Sequence, residues 1–258
     1  MPTDPTDPFV VPDLPEAEVE SELAQRWDAL MPALPELGAA LRRRYAEPHR
    51  RYHDRAHLLQ VLRMVDRLAG DEDLYVVRLA AWFHDAVYDL PERELTNEEA
   101  SARLSIRELG RAGFEQEDLT QVARLVRLTA THAPGARDPE GELLCDADLA
   151  VLAAPPERYD AYVEAVRAEY AAVPEEEFLA GRLAVLEPLA GALGCSSPSR
   201  SRSDHSSRSR FARAAALRFC ALPLRKISPS ASGSSTASRP ARNSSSGTAA
   251  YSARTAST

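Results

Sequence analysis

Tyr52-His53-Asp54-Arg55-Ala56-His57-Leu58-Leu59-Gln60-Val61-Leu62-Arg63-Met64-Val65-Asp66-Arg67-Leu68-Ala69 carries a fold signal and a chemical signal together. Leu58, Val61, Leu62, Val65 and Leu68 recur three and four apart, which predicts a helix over 52–69 with one apolar stripe. On such a helix His53 and His57, four apart, project from one face. Two imidazoles so placed can bind a metal together, or one can bind while the other moves protons. Taken alone, the pair is better explained as an exposed helix start where histidine meets Asp54 or solvent.

The same periodicity extends outward in both directions. It predicts further helices over 19–31, 35–45, 73–88, 97–111, 118–132, 146–153, 156–171 and 174–193. Leu119, Val122, Leu125, Val126 and Thr129 form the stripe of the 118–132 helix. Thr96-Asn97-Glu98-Glu99 reads as a capping box, with the Thr96 hydroxyl on a free amide and Glu99 reaching back. Pro156 and Pro174 stand where a first helical turn tolerates proline. Alternating strand patterns and fixed-period repeats are absent, so the expected fold is all-α and not a solenoid.

Residues 1–18 are rich in Pro and Asp without apolar periodicity and are expected to be a disordered arm. Residues 194–258 are dominated by Ser, Arg, Ala, Thr and Pro, and only FARAAALRFCALPL within them has helical character. That tail is expected to be disordered, since it cannot bury enough apolar surface to offset chain entropy. The net charge of −8 hides a split: from Cys195 onward 11 basic residues face a single acid, Asp204, while residues 1–194 have a net charge of −18. A tail sharing neither charge nor periodicity with the body reads as an altered reading frame rather than a functional basic extension.

Composition excludes several function classes. An acidic body lacks the basic face of a general nucleic-acid binder, which leaves the tail as the one segment with RNA-binding charge. No apolar run reaches about 18 residues and no secretory signal opens the chain, so neither a membrane span nor export is expected and a cytoplasmic location is. Cys145, Cys195 and Cys220 are too scattered for a disulfide framework. Lys226, in the tail, is the only lysine, so the body has none for a Walker-type phosphate loop or a Schiff base. Neither G-x-G-x-x-G after a strand nor a G-x-S-x-G elbow is present.

Two further segments have unusual polarity. Trp82-Phe83-His84-Asp85-Ala86-Val87-Tyr88 ends an apolar stretch with a His-Asp pair. A buried unpaired carboxylate costs several kcal/mol by order of magnitude, so Asp85 needs a positive partner, and a metal ion serves. An exposed helix end would also accommodate it. Leu143-Leu144-Cys145-Asp146-Ala147-Asp148-Leu149 sets two acids in an apolar run. Asp146 fits a helix N-cap and Asp148 a first turn. Cys145 beside them reads as a core residue rather than a nucleophile.

Together, in the order His…His-Asp…Asp on successive helices, these segments resemble the HD-domain superfamily of metal-dependent phosphohydrolases. His57 and His84 are 27 residues apart, and Asp85 and Asp148 are 63 apart. The Tyr52-His53-x-x-x-His57 start also looks like the opening of cyclic-nucleotide phosphodiesterase sites, which belong to a related helical fold. The nearest likeness is to a bacterial group described as predicted HD-superfamily phosphohydrolases. It rests on YHxxxHL, FHDxVYD, NEExSA (Asn97, Glu98, Glu99, Ser101), TxxH (Thr129 to His132), DADLAxL, RxEY (Arg167, Glu169, Tyr170) and GRxxVL (Gly181, Arg182, Val185, Leu186), over about 25–193.

The resemblance implies an HD-type helical bundle over 19–193. His57, His84, Asp85 and Asp148 match the metal ligands, with Asp146 the rival of Asp148. His53 matches the proton donor to the leaving oxygen. Glu98 and His132 match lining residues for water, a second metal or phosphate, and Arg51 and Arg167 are candidate phosphate contacts. Mixed N/O ligation suits Mn, Fe, Co, Ni or Zn better than Mg. The implied activity is hydrolysis of a nucleotide or other small phosphate ester by a metal-activated water. The alternative is a non-catalytic HD-type module that binds a nucleotide without turning it over. The likeness ends after Leu193, where related chains continue with another mixed-charge helix. Neither substrate identity nor oligomeric state follows from the motifs.

Overall fold

Tyr75-Val76-Val77-Arg78-Leu79-Ala80-Ala81-Trp82-Phe83 is apolar on nearly every side, a pattern stable only inside a shell of other helices. In the computed structural model, which describes residues 14–92 and 94–192 (with side chains as far as 186), this segment is the central helix. The described elements in chain order are α1 Glu16–Leu30, α2 Pro35–Arg44, α3 Arg55–Ala69, α4 Tyr75–Phe83, α5 Asn97–Arg111, α6 Gln116–Leu128, α7 Pro139–Asp148, a 3-10 turn Leu149–Ala153, α8 Pro156–Glu169 and α9 Glu175–Ala192. All are helical and no strand occurs among the described residues, as the periodicity predicts. No helix there is long and apolar enough to cross a membrane.

Around α4 pack α3, α5, α6 and α7, while α1 and α2 close the side of α3. The main core joins Leu23 and Trp27 of α1, Leu58, Val61, Leu62 and Val65 of α3, Leu79 and Trp82 of α4, and Val122, Leu125 and Val126 of α6. Trp27 and Trp82 meet edge to face with centroids 5.1 Å apart. Trp27 also needs Gly38: a Cβ there would lie 2.2 Å from the indole, so only glycine lets α2 approach this closely. A second apolar cluster, Val151, Leu152, Tyr162, Val166 and Phe178, unites the 3-10 turn, α8 and α9.

Several boundaries differ from expectation, each for a local reason. α1 starts at Glu16, directly after Pro15, so residues 16–18 belong to a helix rather than to the arm; residues 1–13 and the predicted tail 194–258 lie outside the described residues. α3 starts at Arg55 because the Asp54 carboxylate caps it, accepting from the amides of Ala56 (2.8 Å) and His57 (3.2 Å). His53 therefore precedes the helix, and the shared helical face of His53 and His57 is not what joins them. α4 ends at Phe83 rather than 88, and α6 ends at Leu128 rather than 132.

The largest difference is at α7. The predicted 146–153 helix is the last turn of α7 followed by a 3-10 turn. α7 starts at Pro139 with Asp138 as its cap, its carboxylate accepting from the Gly141 amide at 3.0 Å. Asp146 is accordingly not an N-cap, and Asp148 stands in the last turn rather than the first. The capping box at Thr96 forms by half: Thr96 Oγ1 takes the Glu99 amide at 3.3 Å, but the Glu99 carboxylate turns to Arg127 (2.6 Å) and Arg103 (2.7 Å).

Candidate metal centre

Three polar side chains are buried where the main core meets the second cluster: His57, His84 and Asp85. His57 is in the first turn of α3, placed by the Asp54 cap. His84 follows the last residue of α4 and keeps helical φ/ψ, and the turn closed by Ala86 N–H to Phe83 O (3.0 Å) presents Asp85. His84 Nδ1 donates to Ala81 O at 2.8 Å, which leaves the Nε2 lone pair pointing inward. That Nε2 lies 3.2 Å from His57 Nε2. Asp85 Oδ2 lies 3.1 Å from His84 Nε2 and 3.5 Å from His57 Nε2. Each of the three offers a donor atom within 4.8 Å of the others, so together they could hold a metal ion.

Asp148, at the end of α7, faces the same two imidazoles, with Oδ1 3.2 Å from His57 Nε2 and 3.7 Å from His84 Nε2. Its other oxygen takes His132 Nε2 at 2.8 Å. Residues two apart on an α-helix differ by about 200° in direction, so α7 turns Asp148 and not Asp146 toward the histidines. Burial, and secondarily Glu142, pushes Asp146 up to about 7.

Two carboxylates this deep require positive charge. Burial disfavours a charged His57, but Asp148 and Asp85 outweigh it and raise this imidazole to about 10. His84 is raised in the same way by Asp85 and Asp148 against its burial. Burial raises both acids, but the histidines overcome it: Asp85 is held well below the carboxylate range by His84 and His57, and Asp148 by His132 and His57. A divalent ion supplies the same compensation. Two atoms about 2.0–2.2 Å from one ion and near tetrahedral or octahedral angles lie roughly 2.8–3.6 Å apart. The separations of 3.1, 3.2 and 3.5 Å among His57, His84 and Asp85 match that spacing. The three donors are therefore spaced so that they could share one metal ion.

His53 is brought to this group from the loop before α3, its ring 5.5 Å from that of His57 and stacked on Tyr88 at 4.2 Å. Its partner is Glu169, a fully buried carboxylate at the end of α8 whose Oε1 lies 2.5 Å from His53 Nδ1. Sequence reasoning quoted Glu169 without giving it a role. The signal was present: Tyr162, Val166 and Glu169 fall four and three apart, on the buried stripe of α8. Arg50 was missed entirely. It is buried, donates through Nη1 to His53 O and Asp85 O, both at 2.8 Å, and stacks on Tyr45 and Tyr88.

The remaining candidates are placed less centrally. Glu98, in the first turn of α5, makes no hydrogen bond or ion pair to His57, His84, Asp85 or Asp148. Its neighbours act instead: Asn97 Oδ1 accepts from the Asp89 amide (2.9 Å) and Ser101 Oγ from the Val87 amide (3.0 Å), pinning the chain that follows Asp85. Arg51 is exposed and gives its backbone amide to Glu169 (2.7 Å). Arg167 donates to the carbonyls of Tyr170 (2.7 Å) and Val173 (3.2 Å) and lies over the Phe178 ring, so its guanidinium holds the end of α8. Cys145 is buried, and burial followed by Asp148 and Asp146 pushes its thiol far up, consistent with a core residue.

Comparisons of the chain with protein-family profiles, with curated proteins and with solved structures returned no match.

Proposed function

We propose that this protein is a metal-dependent phosphohydrolase of the HD-domain type, acting on a nucleotide or other small phosphate ester. The observation that carries the reading is the convergence of His57, His84 and Asp85 on one buried point, with Asp148 facing the same imidazoles. On this reading those four residues hold a divalent transition metal. A bound ion of that kind acidifies a water and offsets charge on phosphoryl oxygens.

The chain's own groups supply the remaining requirements. His53 delivers a proton to the leaving oxygen, since Glu169 occupies Nδ1 and leaves Nε2 as the ring nitrogen available to a substrate. Tyr88 backs the ring and fixes its plane. Arg50 ties the carbonyl of His53 to that of Asp85, so the proton donor and the metal-holding turn keep one spacing. Positioned groups of this kind supply most of the catalysis in phosphoryl transfer.

The test uses the purified chain reloaded with Mn beside Asp85→Ala, both assayed for hydrolysis products (free phosphate, or the monoester and alcohol from a diester) over a panel of nucleotides, phosphomonoesters and phosphodiesters. Turnover of at least one class by the parent, lost in a folded variant that no longer retains Mn, is expected. A parent that holds Mn but hydrolyses none of them would sink the hydrolase in favour of a nucleotide-binding module.

A further inference from the structure

His132 is the one described non-glycine residue with a left-handed backbone, at φ +48°. It ends the turn after α6, where its amide donates to Leu128 O at 2.9 Å. Glycine or asparagine is the usual residue at such a helix exit, because a β-carbon there crowds the backbone. A histidine held in this region costs on the order of 1 kcal/mol, so something must favour this side chain over glycine. What the ring does is plain: Nε2 meets Asp148 Oδ2 at 2.8 Å.

That distance is typical of a direct bond between the two side chains. N–H···O hydrogen bonds run about 2.7–3.2 Å with a mode near 2.9 Å, whereas a nitrogen and an oxygen sharing an ion lie roughly 2.8–3.6 Å apart, so 2.8 Å is central to the first range and at the very edge of the second. Asp148 Oδ1 stands back from the imidazoles, 3.2 Å from His57 Nε2 and 3.7 Å from His84 Nε2, whereas Oδ2 is in direct hydrogen-bond contact with His132. Among the described residues, the group with metal-holding geometry is His57, His84 and Asp85; Asp148 borders it through Oδ1 and His132 touches only Asp148 Oδ2.

We infer that His132 is a positioning residue rather than a ligand: its Nε2–H holds Oδ2 of Asp148, so that Asp148 presents Oδ1 alone to the ion at His57, His84 and Asp85. The inference rests on the metal reading above and adds that the centre holds a single ion. Partners of this kind orient a ligating carboxylate, and their loss weakens metal binding about tenfold to a hundredfold.

The test is Mn(II) titration by calorimetry and electron paramagnetic resonance on the full metal-free chain, beside His132→Gly and His132→Gln, with thermal melting of each without metal. Glycine relieves the backbone and removes the ring; glutamine restores a side-chain N–H at similar reach. One Mn per parent chain is expected. His132→Gly should bind Mn about tenfold to a hundredfold more weakly, while its melting temperature without metal reflects backbone relief set against the lost hydrogen bond to Asp148. His132→Gln should regain most of that affinity. A role confined to structure would instead leave the Mn affinity of the folded glycine variant unchanged, overturning the inference. Two Mn in the parent and one in His132→Gly would make His132 a ligand and overturn it too. A folded parent that binds no Mn would remove the metal reading itself, a result distinct from either.

Discussion

Glu169 at the end of α8 holds His53 at the start of the site by both carboxylate oxygens: Oε1 meets the ring at Nδ1, 2.5 Å away, and Oε2 accepts the His53 amide at 3.1 Å. The same Oε2 also takes the amides of Arg51 (2.7 Å) and Tyr52 (2.9 Å). A buried anion joined to three successive amides and a ring nitrogen is a strong tie, because charge-assisted hydrogen bonds contribute about twice what neutral ones do. Glu169→Gln is expected to lower stability by on the order of 2–3 kcal/mol in urea unfolding. On the hydrolase reading it should reduce kcat more than KM while leaving the Mn content intact. Loss of Mn equal to that of Asp85→Ala would instead place Glu169 among the groups that hold the ion.

The same residue makes stability depend on acid pH. Burial raises Glu169, but the His53 ring and the amides of Tyr52 and Arg51 outweigh it and bring the group to about 2, against 4.5 for the unperturbed side chain. A depressed carboxylate stabilises the fold above its unfolded pKa and loses that contribution as pH falls through the folded one. Between pH 6 and pH 3 the expected loss from this group is roughly 2 kcal/mol, at about 1.4 kcal/mol per unit of separation. Urea midpoints measured at both pH values should therefore fall further for the parent than for Glu169→Gln. Parallel declines would show that Glu169 is not depressed in the folded chain.

Arg50 gives a prediction that separates shape from charge. One guanidinium spans His53 O and Asp85 O and stacks on Tyr45 and Tyr88. A lysine ammonium keeps the charge but cannot meet Glu47 through an Nε–H while reaching both carbonyls, nor set a planar group over the two rings. Arg50→Lys is expected to cost about 2–4 kcal/mol and to weaken Mn binding, through loosening of the turn that carries Asp85. Equal Mn affinity in Arg50→Lys and parent would show that the turn needs no such tie.

Gly38 supplies a control remote from the His-Asp group. Its missing Cβ is the space that the Trp27 indole fills. Gly38→Ala should lower the thermal midpoint by an overpacking cost of about 1–3 kcal/mol while Mn affinity stays within error. A neutral Gly38→Ala would mean that α1 and α2 separate easily.

Metal should itself stabilise the fold. A ligand that binds only the folded state at a hundred times its Kd adds about 2.7 kcal/mol. For a helical body of this size that corresponds to roughly 5–10 °C in Tm. Mn should give this shift in the parent, and Asp85→Ala should melt at the same temperature with or without it. A parent whose melting ignores Mn would argue that His57, His84 and His132, and no metal ion, compensate the two carboxylates.

The sequence by itself determined the helical class and the approximate helix order, and it singled out His57, His84-Asp85 and the Asp146/Asp148 pair as candidates, through a resemblance of their motifs rather than through any one segment. The helices were legible because apolar periodicity is a local property of a chain. Helix ends were legible only where their caps were recognised: Thr96 set the start of α5 as expected, whereas Asp54 and Asp138 moved the starts of α3 and α7. Tertiary structure alone decided the rest. The choice of Asp148 over Asp146 follows from the direction in which α7 runs past α3 and α4. The joining of His53 to Glu169 spans 116 residues, and the tie from Arg50 to Asp85 spans 35. Pairings over such distances depend on how the layers pack, and no local spacing encodes that packing.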